Sequence, residues 1–243
     1  MTSEQGSTDW VGDACVALAD ALAAGFDLEA DLRDLIGYTA RLAGTADVGV
    51  FITDRGGPLR AVGGDTAARP LELLELDQRQ GPCVDCATNG EPVVNRRLED
   101  AADRWPDLAA AGLAAGFRLV SALPLRHGGV VFGAVNLFQR DAGDLPEREV
   151  RLAQSLADAA AVGIAHHRAH LASAERGDQL QQALDERVLV EQAKGMLAEQ
   201  LGIGTAEAFD ILRRRARASQ QRVADLAARV VAREIAARDL TGV

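Results

Sequence analysis

The chain has 243 residues, of which 48% are hydrophobic and 26% are charged, and its formal net charge is −10. This composition is typical of a globular protein with enough apolar side chains for a core, and the length allows one or two domains. No apolar run is long enough for a transmembrane helix, and the polar start lacks the basic stretch of a signal peptide. Three cysteines are too few for a disulfide scaffold. We therefore expect a cytoplasmic protein without a membrane partner.

Hydrophobic periodicity in residues 9–138 predicts short helices that alternate with short strands. Turn residues at 54–58 and 126–129 separate some of these segments. The predicted helices cover residues 9–25, 28–42, 71–80, 82–88 and 104–115. The predicted strands cover residues 47–53, 59–62, 92–94, 120–125 and 130–138. This order of elements indicates an α+β fold.

One long helix, or two helices in register, is predicted over residues 147–201. Asp144, Pro146 and Glu147 supply the signals of a helix start, namely a capping side chain, a first-turn proline and a capping-box carboxylate. Two apolar stripes lie on opposite sides of this helix, one made of Leu180, Leu184 and Val188, the other of Leu189, Ala193, Met196 and Leu197. We expect the first stripe to form a parallel coiled coil in a homodimer, and the second to pack into a C-terminal bundle.

Two shorter helices are predicted after Gly202. Thr205 is expected to cap the first of them, which runs to residue 218, and Ser219 is expected to cap the second. The side chains expected to face the core are Phe209, Leu212 and Ala216 on the first helix and Val223, Leu226, Ala227, Val230 and Val231 on the second.

The C-terminal region carries a local excess of positive charge. Residues 213–233 contain seven arginines and a single acidic residue, Asp225. The arginines of the last predicted helix lie near one line along it, and two on the preceding helix lie one turn apart. These are Arg222, Arg229 and Arg233 on the last helix and Arg213 and Arg217 on the preceding one. Converging guanidinium groups indicate a polyanion site, although a solvated helix face also explains an arginine run.

Residues 184–197 and 205–213 resemble the ANTAR domain, and the string Glu-Gln-Ala-Lys-Gly-Met-Leu at 191–197 is its most specific part. The resemblance implies a three-helix bundle that binds paired RNA stem-loops in nascent transcripts and prevents transcription termination. Many members of the family carry asparagine where this chain has Gln220. The residues expected to bind RNA are Lys194, Arg213, Arg214, Arg217, Ser219, Gln220, Arg222 and Arg229.

Residues 25–167 resemble a GAF domain of the kind that is often fused to ANTAR in actinobacteria. The motifs that carry the resemblance are Gly81-Pro82-Cys83, Asn89 to Val94, Arg104-Trp105-Pro106 and Gly133 to Leu137. The resemblance implies an antiparallel sheet flanked by helices, with a pocket that senses a small ligand, a redox state or a partner. It does not specify the ligand, so the cofactor stays unknown.

These observations together predict four parts of the chain and a route for a signal. The parts are an N-terminal helix (1–24), a GAF sensor domain (25–167), a connecting coiled-coil helix (147–190) and an ANTAR domain (178–240). On this hypothesis a signal in the sensor changes the pairing of the connecting helices, and this change decides whether the arginines can engage two RNA loops.

Four residues are candidates for the sensor pocket: Cys83, Cys86, Trp105 and Asn136. Cys83 starts a predicted helix, where the helix dipole favours a thiolate, so Cys83 and Cys86 suit a redox pair or half of a metal site. The favoured interpretation is that the two cysteines are small, half-buried residues at the rim of the GAF pocket. No second Cys-x-x-Cys is present, and no metal is predicted. His166 and His170 have a spacing that can bind metal, but an exposed connector is the favoured interpretation.

Two alternative functions remain open. Some GAF proteins reduce free methionine sulfoxide with cysteines, which makes a thiol oxidoreductase one alternative. The last two predicted helices resemble a helix-turn-helix in outline, which makes a DNA-binding repressor the other. We expect an RNA-binding regulator that is not an enzyme. Because its tail holds a single aromatic residue, Phe209, recognition rests on arginine and not on aromatic stacking.

Overall fold

The computed structural model describes residues 9–19, 27–44, 47–53, 59–62, 67–141 and 143–241. The chain divides into two compact units, residues 1–170 and residues 171–243. Each unit has a hydrophobic core of its own, and one long helix, α6 (Glu147–Leu201), contributes residues to both cores.

The first unit is built on an antiparallel sheet of five strands. They are β1 (Asp47–Thr53), β2 (Leu59–Val62), β3 (Val93–Arg97), β4 (Leu119–His127) and β5 (Val130–Gln139). Their order across the sheet is β2-β1-β5-β4-β3. A two-residue turn, Gly128-Gly129, joins β4 to β5, and its residues have φ values of 58° and 79°. Such tight hairpin turns favour glycine because both central residues need a positive φ.

Helices cover both faces of the sheet. They are α1 (Asp9–Ala19), α2 (Leu28–Ala43), α3 (Arg69–Gln78), α4 (Pro82–Asn89) and α5 (Pro106–Ala114). Val48, Val50 and Ile52 of β1 share a core with residues of α1, α2 and α6, whereas Phe51 packs with Cys83 and Cys86 of α4. Side chains alternate between the two faces in this way because a strand has a period of two residues.

The elements predicted for this unit are confirmed, with shifted ends. Residues 20–25 of the first predicted helix lie outside the described residues. Helix α5 begins at Pro106 and not at residue 104, because Trp105 precedes a proline and has a φ of −137°, outside the helical region. Strand β3 extends to Arg97, three residues beyond the predicted end.

Helix α6 is a single helix of 55 residues, which is the first of the two predicted alternatives. Its first half packs on the sheet through a stripe at helical spacing. The buried members of this stripe are Ala153, Leu156, Ala157, Ala160, Ala161 and Ile164. Its apolar positions Leu180, Leu184 and Val188 are 68%, 57% and 53% exposed.

The second unit consists of the end of α6 and three further helices: α7 (Thr205–Ala218), α8 (Val223–Val231) and α9 (Ala237–Thr241). From α6, Ala193 and Leu197 are buried as predicted, but Leu189 and Met196 are only half-buried, and Val190 packs on the core instead. Periodicity did not predict α9, whose Ala237 and Leu240 complete the core.

Three predictions for the helices of the second unit are wrong in detail. Thr205 is the first residue of α7 and does not cap it, and Ser219 follows the end of α7 instead of capping α8, which begins after Arg222. Phe209 is half-buried and lies outside the core. Leu212 and Ala216 of α7 are buried as predicted, and Ala208 and Ile211 complete the buried stripe in place of Phe209.

Candidate RNA interface and sensor core

Three arginines of α7 are exposed and unengaged. Arg213, Arg214 and Arg217 make no ion pair or side-chain hydrogen bond within the part of the chain that the structure describes. Arg213 and Arg217 lie four residues apart and therefore on one side of the helix. A guanidinium without a carboxylate partner keeps its planar donors available for phosphate or base edges.

Arg222 is engaged with carboxylates on two sides. It lies just before α8, and its Nε and Nη2 donate to the two oxygens of Asp225 at 3.1 and 2.9 Å. Its Nη1 donates to Oε1 of Glu186 on α6 at 3.2 Å. The hydrogen bond with Asp225 raises the pKa of Arg222, so this side chain is always charged. Arg222, one of the residues expected to bind RNA, is therefore surrounded by carboxylates from two helices.

Arg229 and Arg233 do not lie along one line with Arg222. Only Arg229 is within α8, and its Nε lies 3.5 Å from a carboxylate oxygen of Glu234. Arg233 follows the end of the helix with a φ of 58°, in the left-handed region. The predicted alignment assumed a longer helix than the chain forms.

Lys194 lies on the side of α6 that faces α7. Its Nζ donates to both carboxylate oxygens of Glu191, at 2.8 and 2.9 Å, and lies 5.6 Å from the centre of the Phe209 ring. The lysine side chain is 19% exposed. The ammonium over a half-buried ring is a cation–π contact that holds α6 against α7.

Ser219 and Gln220 form the end of α7. The Ser219 hydroxyl donates to the carbonyl of Arg215 at 2.7 Å. The backbone N–H groups of Gln220 and Gln221 donate to the carbonyls of Arg217 and Ala216, and Gln220 has a φ of 52°. These bonds form a Schellman cap, whose left-handed position favours glycine and then asparagine. The asparagine that many ANTAR domains carry at this position therefore fits the left-handed backbone conformation, whether or not it also contacts RNA.

Cys83 and Cys86, the first candidates in the sensor unit, are inside the protein. Both are free thiols with no exposed surface. Burial raises the pKa of Cys83 well above its usual range and that of Cys86 to about 12. The helix dipole does not produce a thiolate at Cys83, because the loss of solvation outweighs it in a buried site.

Asn136 lies at the centre of β5 and is fully buried. Its Nδ2 donates to Oε2 of Glu75 at 2.5 Å, and Oε1 of Glu75 accepts the backbone N–H of Cys83 at 3.1 Å. Burial raises the pKa of Glu75 to about 8, so this carboxyl is largely protonated at neutral pH. Sequence reasoning missed Glu75, although the residue lies four positions after Leu71 on the inward side of α3.

A second carboxylate lies beside this cluster. Glu72 is 2% exposed, burial raises its pKa, and Arg69 lies 3.4 Å from its Oε2. A side chain at Gly49 would place its Cβ 1.5 Å from Oε1 of Glu72, so this glycine leaves room for the carboxyl. Among the described residues, Oε1 of Glu72 and Oδ1 of Asn136 have no hydrogen-bond donor.

Trp105 fixes α5 to α4. Its indole N–H donates to Asp85 at 3.0 Å, Arg104 pairs with the same carboxylate at 2.8 Å, and the tryptophan is 3% exposed. Trp105 lines a surface cleft of about 350 Å³ together with Asn95, Arg96, Arg97, Asp100, Ala101, Arg104 and Asp144. A larger cleft of about 630 Å³ lies where the β4–β5 turn meets α6. Neither cleft is lined by Cys83, Cys86 or Asn136.

No group of three histidine, cysteine, aspartate or glutamate side chains suited to a metal is present among the described residues. Within the same ranges, no helix is both long and apolar enough to cross a bilayer.

Two family models match the chain. The model of the ANTAR domain matches residues 178–231, and the model of the GAF domain matches residues 27–165. No curated protein matches the chain.

Solved structures similar to the chain are GAF domains and related proteins. The GAF domain from an Acinetobacter phosphoenolpyruvate-protein phosphotransferase has a TM-score of 0.50 at 15% identity, covering 70% of this chain and 97% of that one. The corresponding domain from Coxiella burnetii has a TM-score of 0.48 at 18% identity, covering 67% and 96%. A type II free methionine-R-sulfoxide reductase from Thermoplasma acidophilum has a TM-score of 0.43 at 18% identity, covering 56% and 95%. The similarity to the Acinetobacter domain shows the fold of the first unit and says nothing about its ligand.

Proposed function

The chain belongs to the GAF domain family and carries an ANTAR domain, and on this premise we propose that it is a cytoplasmic regulator that binds paired stem-loops of nascent RNA. Binding would prevent transcription termination in response to a signal received by the GAF domain. One observation carries the proposal: α7, within the matched ANTAR segment, presents Arg213, Arg214 and Arg217 without carboxylate partners in the described ranges.

Arginine supplies the chemistry that RNA loops require. Its guanidinium neutralises phosphate, stacks on bases and donates in pairs to base edges. Loops are the preferred targets of sequence-specific RNA recognition because their bases are unstacked and accessible. The proposed surface consists of Lys194, Arg213, Arg214, Arg217, Ser219, Gln220, Arg222 and Arg229.

A homodimer is part of the proposal. Leu180, Leu184 and Val188 lie on one side of α6, and each is more than half exposed. Three large apolar side chains at four-residue spacing favour a helical partner of the same kind, here α6 of a second copy. Two copies would supply two arginine surfaces, one for each stem-loop of a pair.

The signal received by the GAF domain is proposed to be a small ligand or a redox change, and no ligand is assigned. The burial of Cys83 and Cys86 and the raised pKa of both thiols disfavour the alternative of a thiol oxidoreductase. The polar groups around Asn136 and Trp105 are therefore better candidates for sensing the signal than the two thiols are.

Crosslinking and sequencing of bound RNA tests the proposal. The full-length wild type is compared with Arg213→Ala/Arg217→Ala and with a control, Arg33→Ala/Arg79→Ala, which removes two exposed arginines of the first unit. These control residues also lack ion pairs among the described residues. We expect crosslinking to recover hairpin RNA with the wild type and the control, and to recover much less of it with the α7 variant. Recovery of the same RNA from all three proteins, or a preference for duplex DNA in competition, would refute the proposal.

A further inference from the structure

Arg222 differs from the other arginines of the proposed surface because all three of its nitrogen atoms face carboxylates. Nε and Nη2 contact Asp225, and Nη1 contacts Glu186. A guanidinium has five N–H donors, and its paired donors are the groups that hold a phosphate. A phosphate that approaches Arg222 therefore meets a guanidinium with three of its five donors in use and two negative charges beside it.

The two carboxylates have different origins. Asp225 is in the first turn of α8, three residues from Arg222, where a negative charge also suits the helix N-terminus. Glu186 comes from α6, 36 residues earlier in the chain. Its Oε1 also accepts the side-chain N–H of Gln182 at 3.0 Å, so its position is set by α6.

The packing of α6 explains why Glu186 faces Arg222. Glu186 precedes Val190, Ala193 and Leu197 by four, seven and eleven residues, which places all four on one side of the helix. Ala193 and Leu197 are buried in the core of the second unit, and Val190 packs against it. The core thus fixes the rotation of α6 and directs the carboxylate toward the start of α8.

We propose that Glu186 sets the affinity and selectivity for RNA by competing with phosphate for Arg222. This inference rests on the proposed function. An RNA that contacts Arg222 but neither Arg213 nor Arg217 must replace the Glu186 contact with a phosphate contact. Its net gain in binding free energy is therefore small. An RNA that also engages Arg213 and Arg217 has additional contacts with which to displace the carboxylate. Glu186 therefore weakens the binding of unspecific strands more than that of a matching pair of loops.

Fluorescence anisotropy with labelled oligouridine at low salt tests this competition without knowledge of the RNA target. The variant is Glu186→Gln, which keeps the shape of the side chain and its distance to Gln182. The matched control is Glu199→Gln, which removes the same charge from an exposed side chain of α6 without a partner among the described residues. Both changes are repeated in an Arg222→Ala background, and circular dichroism checks that each variant is folded.

We expect Glu186→Gln to bind oligouridine about threefold more tightly than the wild type, within the range of an exposed ion pair. The gain should exceed that of Glu199→Gln and disappear when Arg222 is alanine. Equal gains from the two glutamine variants, or a gain that persists without Arg222, would overturn the inference while leaving the proposed function intact. Conversely, if crosslinking recovers no hairpin RNA but the oligouridine result holds, only the proposed function fails. No binding by any variant at low salt would overturn both.

Discussion

Glu75 makes the stability of the GAF unit depend on pH. Its carboxyl is fully buried, and burial raises its pKa from 4.5 to about 8. The folded state therefore holds the proton more tightly than the unfolded state, in which the carboxyl titrates near its ordinary value. The stabilising contribution of the protonated form is complete below about pH 4.5 and is lost as the pH rises through about 8.

The size of this effect follows from the pKa difference. One pKa unit corresponds to about 1.4 kcal/mol, so Glu75 alone lowers the free energy of unfolding by roughly 3 kcal/mol between pH 6 and pH 9. The change Glu75→Gln removes the titration and keeps the shape. Its amide oxygen can accept the N–H of Cys83, and its amide nitrogen takes the place of Oε2, which accepts from Nδ2 of Asn136. When the Asn136 amide turns over, that nitrogen donates to Oδ1, which has no donor among the described residues. The variant should therefore lose most of the slope and exceed the wild type in stability at pH 9.

Urea unfolding followed by tryptophan fluorescence measures this difference. Both tryptophans of the chain, Trp10 and Trp105, belong to the first unit, so the signal reports on that unit. Glu72, whose pKa is also raised, is present in both proteins and accounts for the pH dependence that remains in the variant. Parallel pH profiles for wild type and variant would show that Glu75 is not protonated in the folded state, and the reasoning would be refuted.

Three further predictions concern backbone and packing. Gln220→Gly should stabilise the second unit by about 1 kcal/mol, seen as a higher midpoint in thermal unfolding followed by circular dichroism, because glycine adopts the left-handed conformation without strain; an unchanged or lower midpoint would contradict this. Gly133→Ala should lower the stability of the first unit by about 3 kcal/mol or prevent folding, because its Cβ would lie 1.8 Å from the carbonyl oxygen of Phe51; normal fluorescence unfolding would disprove it. Leu184→Glu should convert a dimer into a monomer in sedimentation experiments, and a monomeric wild type would exclude the proposed pairing.

The sequence predicted the elements of the fold because local signals determine them. Short apolar runs marked the strands, and turns that contain glycine or proline marked the ends of the predicted elements. Gly133, part of the motif that resembles the GAF family, allows β1 and β5 to approach closely. Such constraints act within a few residues or along one strand, and they leave a pattern in the sequence.

The groups that set the chemistry of the interior could not be predicted in the same way. Glu75 is an ordinary acidic residue of a short helix until β5 and α4 place Asn136 and the N–H of Cys83 against it. The raised pKa arises from burial, which depends on the whole unit. The cysteines are the opposite case. Their place at a helix start suggested a reactive thiol, but the fold buries both thiols away from solvent.

The contact between Glu186 and Arg222 joins residues from different helices, and only the packing of α6 against the bundle brings them together. Its position also bears on the proposed dimer. At about 100° per residue, Glu186 lies some 160° to 200° around α6 from Leu184 and Val188. The apolar stripe and the carboxylate thus occupy opposite sides of the helix. A dimer formed through the stripe leaves Arg222 of each copy accessible, so both copies can hold RNA while Glu186 continues to limit each contact.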